Sequence, residues 1–194
     1  MVHVAADWGY RIENPMPVTY HLFPTSFGTC GIAWSERGLT RVQLPEPTDA
    51  QTEARLRRGG DRASRGALPA LASQAIDAMT QYLSGNRVSF DKLQLDESDI
   101  PPFNAAIYRV LRRVPQGTTV TYGELAKQQG EPGAARAVGV AMSKNPWPII
   151  VPCHRVLGAD GKLTGFSAYG GLVTKLKLLT LEGVHLSRNY DLFE

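Results

Sequence analysis

The sequence is poor in cysteine. Only Cys30 and Cys153 occur in 194 residues, so at most one disulfide can form and a disulfide-stapled scaffold is excluded. There is no CxxC pair, and His3, His21, His154 and His185 lack ligand spacing, so neither a metal nor another cofactor is expected. No apolar run approaches the roughly 20 residues of a membrane span. Met1 to Tyr10 is polar and mixed, where a secretory leader has a basic start and an apolar core. A cytoplasmic protein without a membrane partner is expected.

A strong charge of one sign is also missing, since the net charge is +3, but the excess is unevenly placed. Residues 1–100 carry 10 Lys/Arg against 12 Asp/Glu, and residues 101–194 carry 11 against 6, so the second half is the one suited to a polyanion. An apolar content of 43% provides for a sizeable core, in one large domain or two small ones.

Between Pro17 and Leu44 the pattern predicts an antiparallel meander: Val18 to Phe23, Cys30 to Trp34 and Leu39 to Leu44, with a turn at Ser35 to Gly38. Pro45 to Pro69 lacks periodicity and reads as a loop with at most a frayed helix. Its Arg55, Arg57, Arg58, Arg62 and Arg65 suit a solvated surface, with contact to nucleic acid as the other reading. A helix follows from about Pro69 to Ser84, with Leu71, Ile76, Met79 and Leu83 as its stripe and Gly85 at its end. Strand-like Val88 to Phe90, the acidic stretch Asp96 to Asp99 and Pro101-Pro102 then place a domain boundary between 1–100 and 101–194.

In the second unit, Phe103, Ile107, Val110, Leu111 and Val114 follow the helical spacing of one buried face, which Pro115 and Gly117 end. Thr121 and Glu124 form a capping box that puts Tyr122 in the first turn of the next helix. Gly130 and Pro132 break the chain before a helix from Ala134 to Ser143. Two short helices with a Gly-containing turn have helix-turn-helix form, a form that serves packing as often as DNA binding. Ala134, Ala135, Ala137, Gly139 and Ala141 make a smooth surface, and Arg136 is a lone cation near its start. The expected fold class is α+β: a small antiparallel sheet with a helix, then a mainly helical domain with a helix-turn-helix.

Pro152-Cys153-His154-Arg155-Val156 follows the apolar run Ile149 to Val151, which predicts a thiol beside an imidazole at the end of a buried strand. Buried free cysteines are often plain hydrophobes, so the local pattern leaves packing and reactivity open. Cys30, in a strand pattern, is assigned to packing. Neighbours on an extended strand face opposite ways, so the spacing does not imply direct proton transfer from Cys153 to His154.

Residues 103–183 resemble the O6-alkylguanine-DNA alkyltransferases. The resemblance is carried, in order, by Thr121-Tyr122-Gly123-Glu124-Leu125-Ala126, Ala135-Arg136-Ala137-Val138-Gly139, Asn145-Pro146, the Pro-Cys-His-Arg-Val run, and Gly170-Gly171-Leu172 leading to Leu181-Glu182-Gly183. It implies single-use repair, in which an alkyl group passes from O6 of guanine in double-stranded DNA to Cys153, with O4 of thymine as a further candidate donor. It further implies a Cys153-water-His154-Glu182 relay, a recognition helix in the minor groove, Arg136 filling the space of the flipped nucleotide, and Tyr122 against its phosphate and base. Asn145 matches the family's hinge, Pro148 and Trp147 its pocket wall, the backbone of Cys153 and Val156 its guanine-reading edge, and Ser167 its O6-contacting loop residue. A monomer in solution, able to assemble on DNA, is implied. One departure stands out: Gly165 to Gly171 reads as two residues longer than in better-known members, which leaves the O6-contacting residue open between Ser167 and its neighbours, with Ser167 preferred. Two rival readings stand beside this one, a lesion-binding relative that flips the base without reacting and a thiol hydrolase using Cys153, His154 and Glu182.

Overall fold

A computed structural model describes residues 19–57, 64–65 and 68–186 of the chain. Met1 to Tyr10, Val18, Arg58 and Arg62, which entered the sequence reading, lie outside the described residues. Three strands, β1 (Thr19–Thr25), β2 (Gly28–Ser35) and β3 (Gly38–Gln43), pair antiparallel as the meander predicts. A short β4 (Ser64–Arg65) then pairs parallel with β1, so the sheet is mixed, in the order β3-β2-β1-β4.

The segment read as a loop contains helix α1 (Asp49–Arg57). Only Thr52 and Leu56 of α1 are buried, too few to produce a periodic signal, yet the helix covers one face of the sheet. Consequently β2 is buried on both faces, from Cys30 to Trp34, and does not alternate. Gly31 permits this close approach, because a Cβ there would lie 2.6 Å from Leu56 Cδ2.

Helix α2 (Ala70–Leu83) packs on the other face. Its buried residues are Ala72, Ala75, Met79, Tyr82 and Leu83, so the face is turned from the expected stripe and Leu71 and Ile76 sit at its edge. Residues Val88 to Phe90 are irregular chain rather than a strand. Arg112 Nη2 is bonded to the carbonyls of Phe90 and Leu93 close by, which satisfies that backbone without a sheet.

Past the prolines, α3 (Pro102–Leu111) presents Ala105, Ile107, Tyr108 and Leu111 to the core. Strand β5 (Val120–Thr121) leads into α4 (Tyr122–Gln128), whose Thr121-Glu124 capping box is fully formed, and α5 (Ala135–Ser143) packs on α4 and α3. The chain then turns through Cys153–Arg155, a single 3₁₀ turn, to β6 (Val156–Leu157), parallel to β5, and on to α6 (Gly171–Leu181), the last described helix. One buried cluster runs from Phe23 through Met79 and Ile107 to Leu178, so both halves share it. Among the described residues no helix is long and apolar enough to cross a membrane.

Candidate alkyl-acceptor site

The expected strand before Cys153 is absent, and backbone geometry explains why. Asn145 Nδ2 donates to Val151 O at 2.8 Å while its Oδ1 accepts from Trp147 N at 3.0 Å, folding Asn145 to Val151 into a closed turn. Cys153 N then donates back to Val151 O at 2.8 Å across Pro152, an inverse γ-turn. In a 3₁₀ turn successive residues stand about 120° apart rather than on opposite faces. That lets His154 and Arg155 both reach Glu182, which caps α6.

Glu182 is buried and saturated with donors. Its Oε1 lies 2.8 Å from His154 Nε2, accepts from Arg155 Nη2 at 2.7 Å and from Tyr82 Oη at 2.6 Å, and its Oε2 accepts from Gly117 N at 3.2 Å. Burial opposes its charge, but the bonds from His154 and Arg155 prevail and hold its carboxyl well below the usual carboxylate range. With two oxygen acceptors facing Nε2, the network assigns that atom the proton and leaves Nδ1 of His154 as the basic nitrogen. Nδ1 is buried without a protein partner among the described residues. Burial drives the His154 pKa down, outweighing Glu182, so the imidazole stays neutral.

Cys153 is 6% exposed. Burial raises its thiol pKa, while the Asn145 side chain, the charge of Lys175 and the amides of Cys153 and His154 pull the other way. The resting thiol is therefore protonated, and ionisation must accompany reaction. Lys175 is buried on α6, with Nζ donating to the carbonyls of Val156 at 2.5 Å and Thr164 at 3.1 Å. Burial lowers its pKa to about 8.

A cavity of about 400 Å³ opens onto Cys153 and is lined also by Tyr122, Gly139, Met142, Phe166 and Ser167. Tyr122 is half-buried, its Oη accepting from Thr164 Oγ1 at 3.1 Å. Ser167 is exposed at the rim, and its carbonyl accepts from Arg55 Nη2 at 3.0 Å, so at least one arginine of the supposed surface loop is tied to the site's rim while remaining partly exposed. The loop from Gly165 is closed at its far end by Gly170, where φ is +80° and a Cβ would lie 2.5 Å from Thr174 Oγ1.

Cys153, His154 and Glu182 therefore come together, with Tyr122, Ser167 and Asn145 around the thiol, and Pro148 lines a second cavity beside it. Val156 adjoins through its backbone, although its carbonyl already accepts from Lys175. Trp147 does not form pocket wall: it is fully buried and its Nε1 donates to Leu39 O at 2.8 Å, pinning the turn to β3. Arg136 stays outside the cavity, exposed on the outer face of α5 with Ala137 and Val140. Sequence reasoning missed Tyr82, Lys175 and Gly117. The spacing of Lys175, Leu178, Leu179 and Glu182 puts a lysine on the buried face of one helix, a signal that was available. Tyr82 carried none, since its partners lie far along the chain.

A buried thiol backed by a His–Glu pair, opening on a cavity walled by the helix pair α4–α5, defines a protein built around a shielded cysteine with a base beside it. Profiles of the 6-O-methylguanine DNA methyltransferase ribonuclease-like and DNA binding domains match residues 18–97 and 102–184, and the chain belongs to that family. It is 45% identical over 127 residues to a methylated-DNA–protein-cysteine methyltransferase of Mycolicibacterium paratuberculosis, covering 65% of this chain and 74% of that protein. A protein of the same description from Methanothermobacter thermautotrophicus is 32% identical over 80% of each chain. Among solved structures, Mycobacterium tuberculosis OGT in complex with DNA superposes with a TM-score of 0.67 at 36% identity, over 85% of this chain and 93% of that one.

Proposed function

We propose that the chain repairs DNA by direct, stoichiometric transfer of an alkyl group from O6 of guanine to its own Cys153. The observation that carries this reading is the shared cavity of Cys153 and Tyr122 beneath α5, with His154 fixed from behind by Glu182.

A stacked base hides its O6 substituent, so the nucleotide must turn out of the duplex to reach the cavity. Helix α5 enters the minor groove, its exposed Ala137 offering no bulk, and Arg136 takes the space of the departed nucleotide. Tyr122 meets the flipped base and its phosphate. Pro148 walls the alkyl group, Asn145 holds the hinge, the backbone of Cys153 and Val156 reads the guanine edge, and Ser167 addresses O6.

His154 Nδ1 takes the thiol proton through a water, and Glu182 keeps the proton on Nε2. The sulfur attacks the alkyl carbon, the S–C bond forms as the C–O6 bond breaks, and the guanine anion recovers a proton. Lys175 supports the developing thiolate. The thioether is not reversed by cellular thiols, so each molecule acts once.

O4-alkylthymine is included as a second substrate of the same transfer. The protein works as a cytoplasmic monomer that can assemble on DNA, with residues 1–100 bracing an acceptor unit of 101–194. Intact-protein mass after incubation with an O6-methylguanine duplex tests the reading. One methyl gained per molecule, and none in Cys153→Ser, is expected. Binding without mass gain, or turnover on a small ester, overturns it.

A further inference from the structure

Tyr122 lines the Cys153 cavity, and its hydroxyl is held from outside that cavity by Thr164. Strands β5 and β6 pair Thr121 with Leu157, so Tyr122, at the start of α4, stands beside the turn that follows β6. Gly158 N donates to Lys162 O at 2.8 Å and closes that turn, which brings Thr164 back alongside. There Thr164 Oγ1 donates to Tyr122 Oη at 3.1 Å.

Thr164 is itself fixed on two further sides. Its carbonyl accepts from Lys175 Nζ at 3.1 Å, and its methyl packs over Gly158, where a Cβ would lie 2.8 Å from Thr164 Cγ2. A β-branched side chain has few rotamers, so these contacts also fix where the hydroxyl stands. The Tyr122 ring lies over Gly139 of α5, since a Cβ there would lie 3.9 Å from Tyr122 Cε1. Apolar contact with α5 sets the place of the ring but not the direction of its O–H bond. Thr164 supplies that direction.

A phenol has one proton to donate and lone pairs that accept. Thr164 occupies an accepting position of Tyr122 Oη, which has no other hydrogen-bond partner among the described residues, so the phenolic proton is left for the cavity. We infer that Thr164 is a positioning residue for the reaction, holding Tyr122 as a hydrogen-bond donor to a ring nitrogen of the flipped guanine. The inference rests on the alkyl-transfer reading above. As the C–O6 bond breaks, negative charge spreads from O6 over the purine ring, and a donor aimed beforehand stabilises that charge without reorganising in the transition state. Thr164 touches neither base nor sulfur and acts through Tyr122.

The test is a double-mutant cycle on the full chain, read by intact mass as the saturating single-turnover rate of methyl transfer from an O6-methylguanine duplex. Thr164→Val keeps a methyl over Gly158 and deletes only the hydroxyl. It should slow transfer by roughly three- to tenfold, the scale of one hydrogen bond, and leave affinity for undamaged duplex unchanged. Thr164→Ser keeps the hydroxyl and should retain most of the rate. In a Tyr122→Phe background, Thr164→Val should have no further effect. Thr164→Ser as slow as Thr164→Val would assign the loss to packing of the methyl and overturn the inference. An equal loss from Thr164→Val in the Tyr122→Phe background would overturn it too, as would an unchanged saturating rate in Thr164→Val alone. Absence of methyl transfer from wild type would instead sink the alkyl-transfer reading itself.

Discussion

Tyr82 donates a 2.6 Å hydrogen bond to Glu182, a residue 100 positions further along the chain, and its oxygen also lies 3.1 Å from Nε2 of His154. Helix α2 of the N-terminal half thereby completes the environment of the proposed base. Tyr82→Phe preserves the ring, which stacks edge-on against Phe90, and deletes only the hydroxyl. We expect a stability loss of about 1–3 kcal/mol from the donor removed at a buried carboxylate, measured by urea unfolding. Tyr82 acts through Glu182 and His154, so methyl transfer should also slow and its pH profile shift. A stability loss with an unchanged profile would reduce Tyr82 to a brace.

Acid should weaken the fold through two groups. His154 has its pKa lowered by burial, so below about pH 6.5, the unfolded value, the unfolded chain binds a proton that the folded one refuses, and stability falls. Glu182, also lowered, contributes stability that is fully present above about pH 4.3 and is lost as pH falls through its folded value. Glu182→Gln should remove the second limb and cost about 3–5 kcal/mol at neutral pH, because Arg155 is left buried and unpaired. Denaturant midpoints across the acid range check both limbs.

Lys175 acts with the same sign in an alkaline window. Its pKa is lowered to about 8, so between that value and the unfolded value of about 10.4 the unfolded chain holds the extra proton and stability rises with pH. Its support of the thiolate is lost over the same window. Lys175→Met should slow transfer at neutral pH and erase the break near pH 8 from the rate profile. A break that persists in Lys175→Met would assign it to another group.

Arg136 and Tyr122 are separable by substrate. Arg136 is exposed on α5, so Arg136→Ala should change stability by no more than about 0.5 kcal/mol. Transfer from duplex DNA should nonetheless slow in Arg136→Ala and in Tyr122→Ala, while reaction with free O6-methylguanine base is less affected. Equal effects on duplex and free base would remove Arg136 from base flipping.

Local signals were legible in the sequence, and long-range ones were not. The capping box at Thr121-Glu124, the meander and the pair α4–α5 depend on neighbours along the chain, and each stands where its residues placed it. The thiol, imidazole and carboxylate were placed through family motifs, and the structure brings them together. The strand expected before Cys153 failed because Asn145 closes a turn whose hydrogen bonds no periodicity encodes. Helix α1 was legible only as a frayed helix within a loop, because the sheet, rather than its own apolar face, accounts for its position. Tyr82 and Arg55 reach the site from segments 72 and 112 residues away from their contacts, His154 and Ser167, and a single sequence carries no mark of such distances.

The burial that keeps the Cys153 thiol protonated has a consequence beyond chemistry with DNA. Peroxides and stray electrophiles consume thiolates that are exposed, and Cys153 is neither exposed nor ionised at rest. The other cysteine, Cys30, is sealed in β2 with its pKa raised to about 12, a poor candidate to rescue an oxidised neighbour. A molecule with a single shot and no resolving thiol keeps that shot by storing it dry, so its working lifetime in the cell is set by encounters with damaged bases rather than by the ambient redox state.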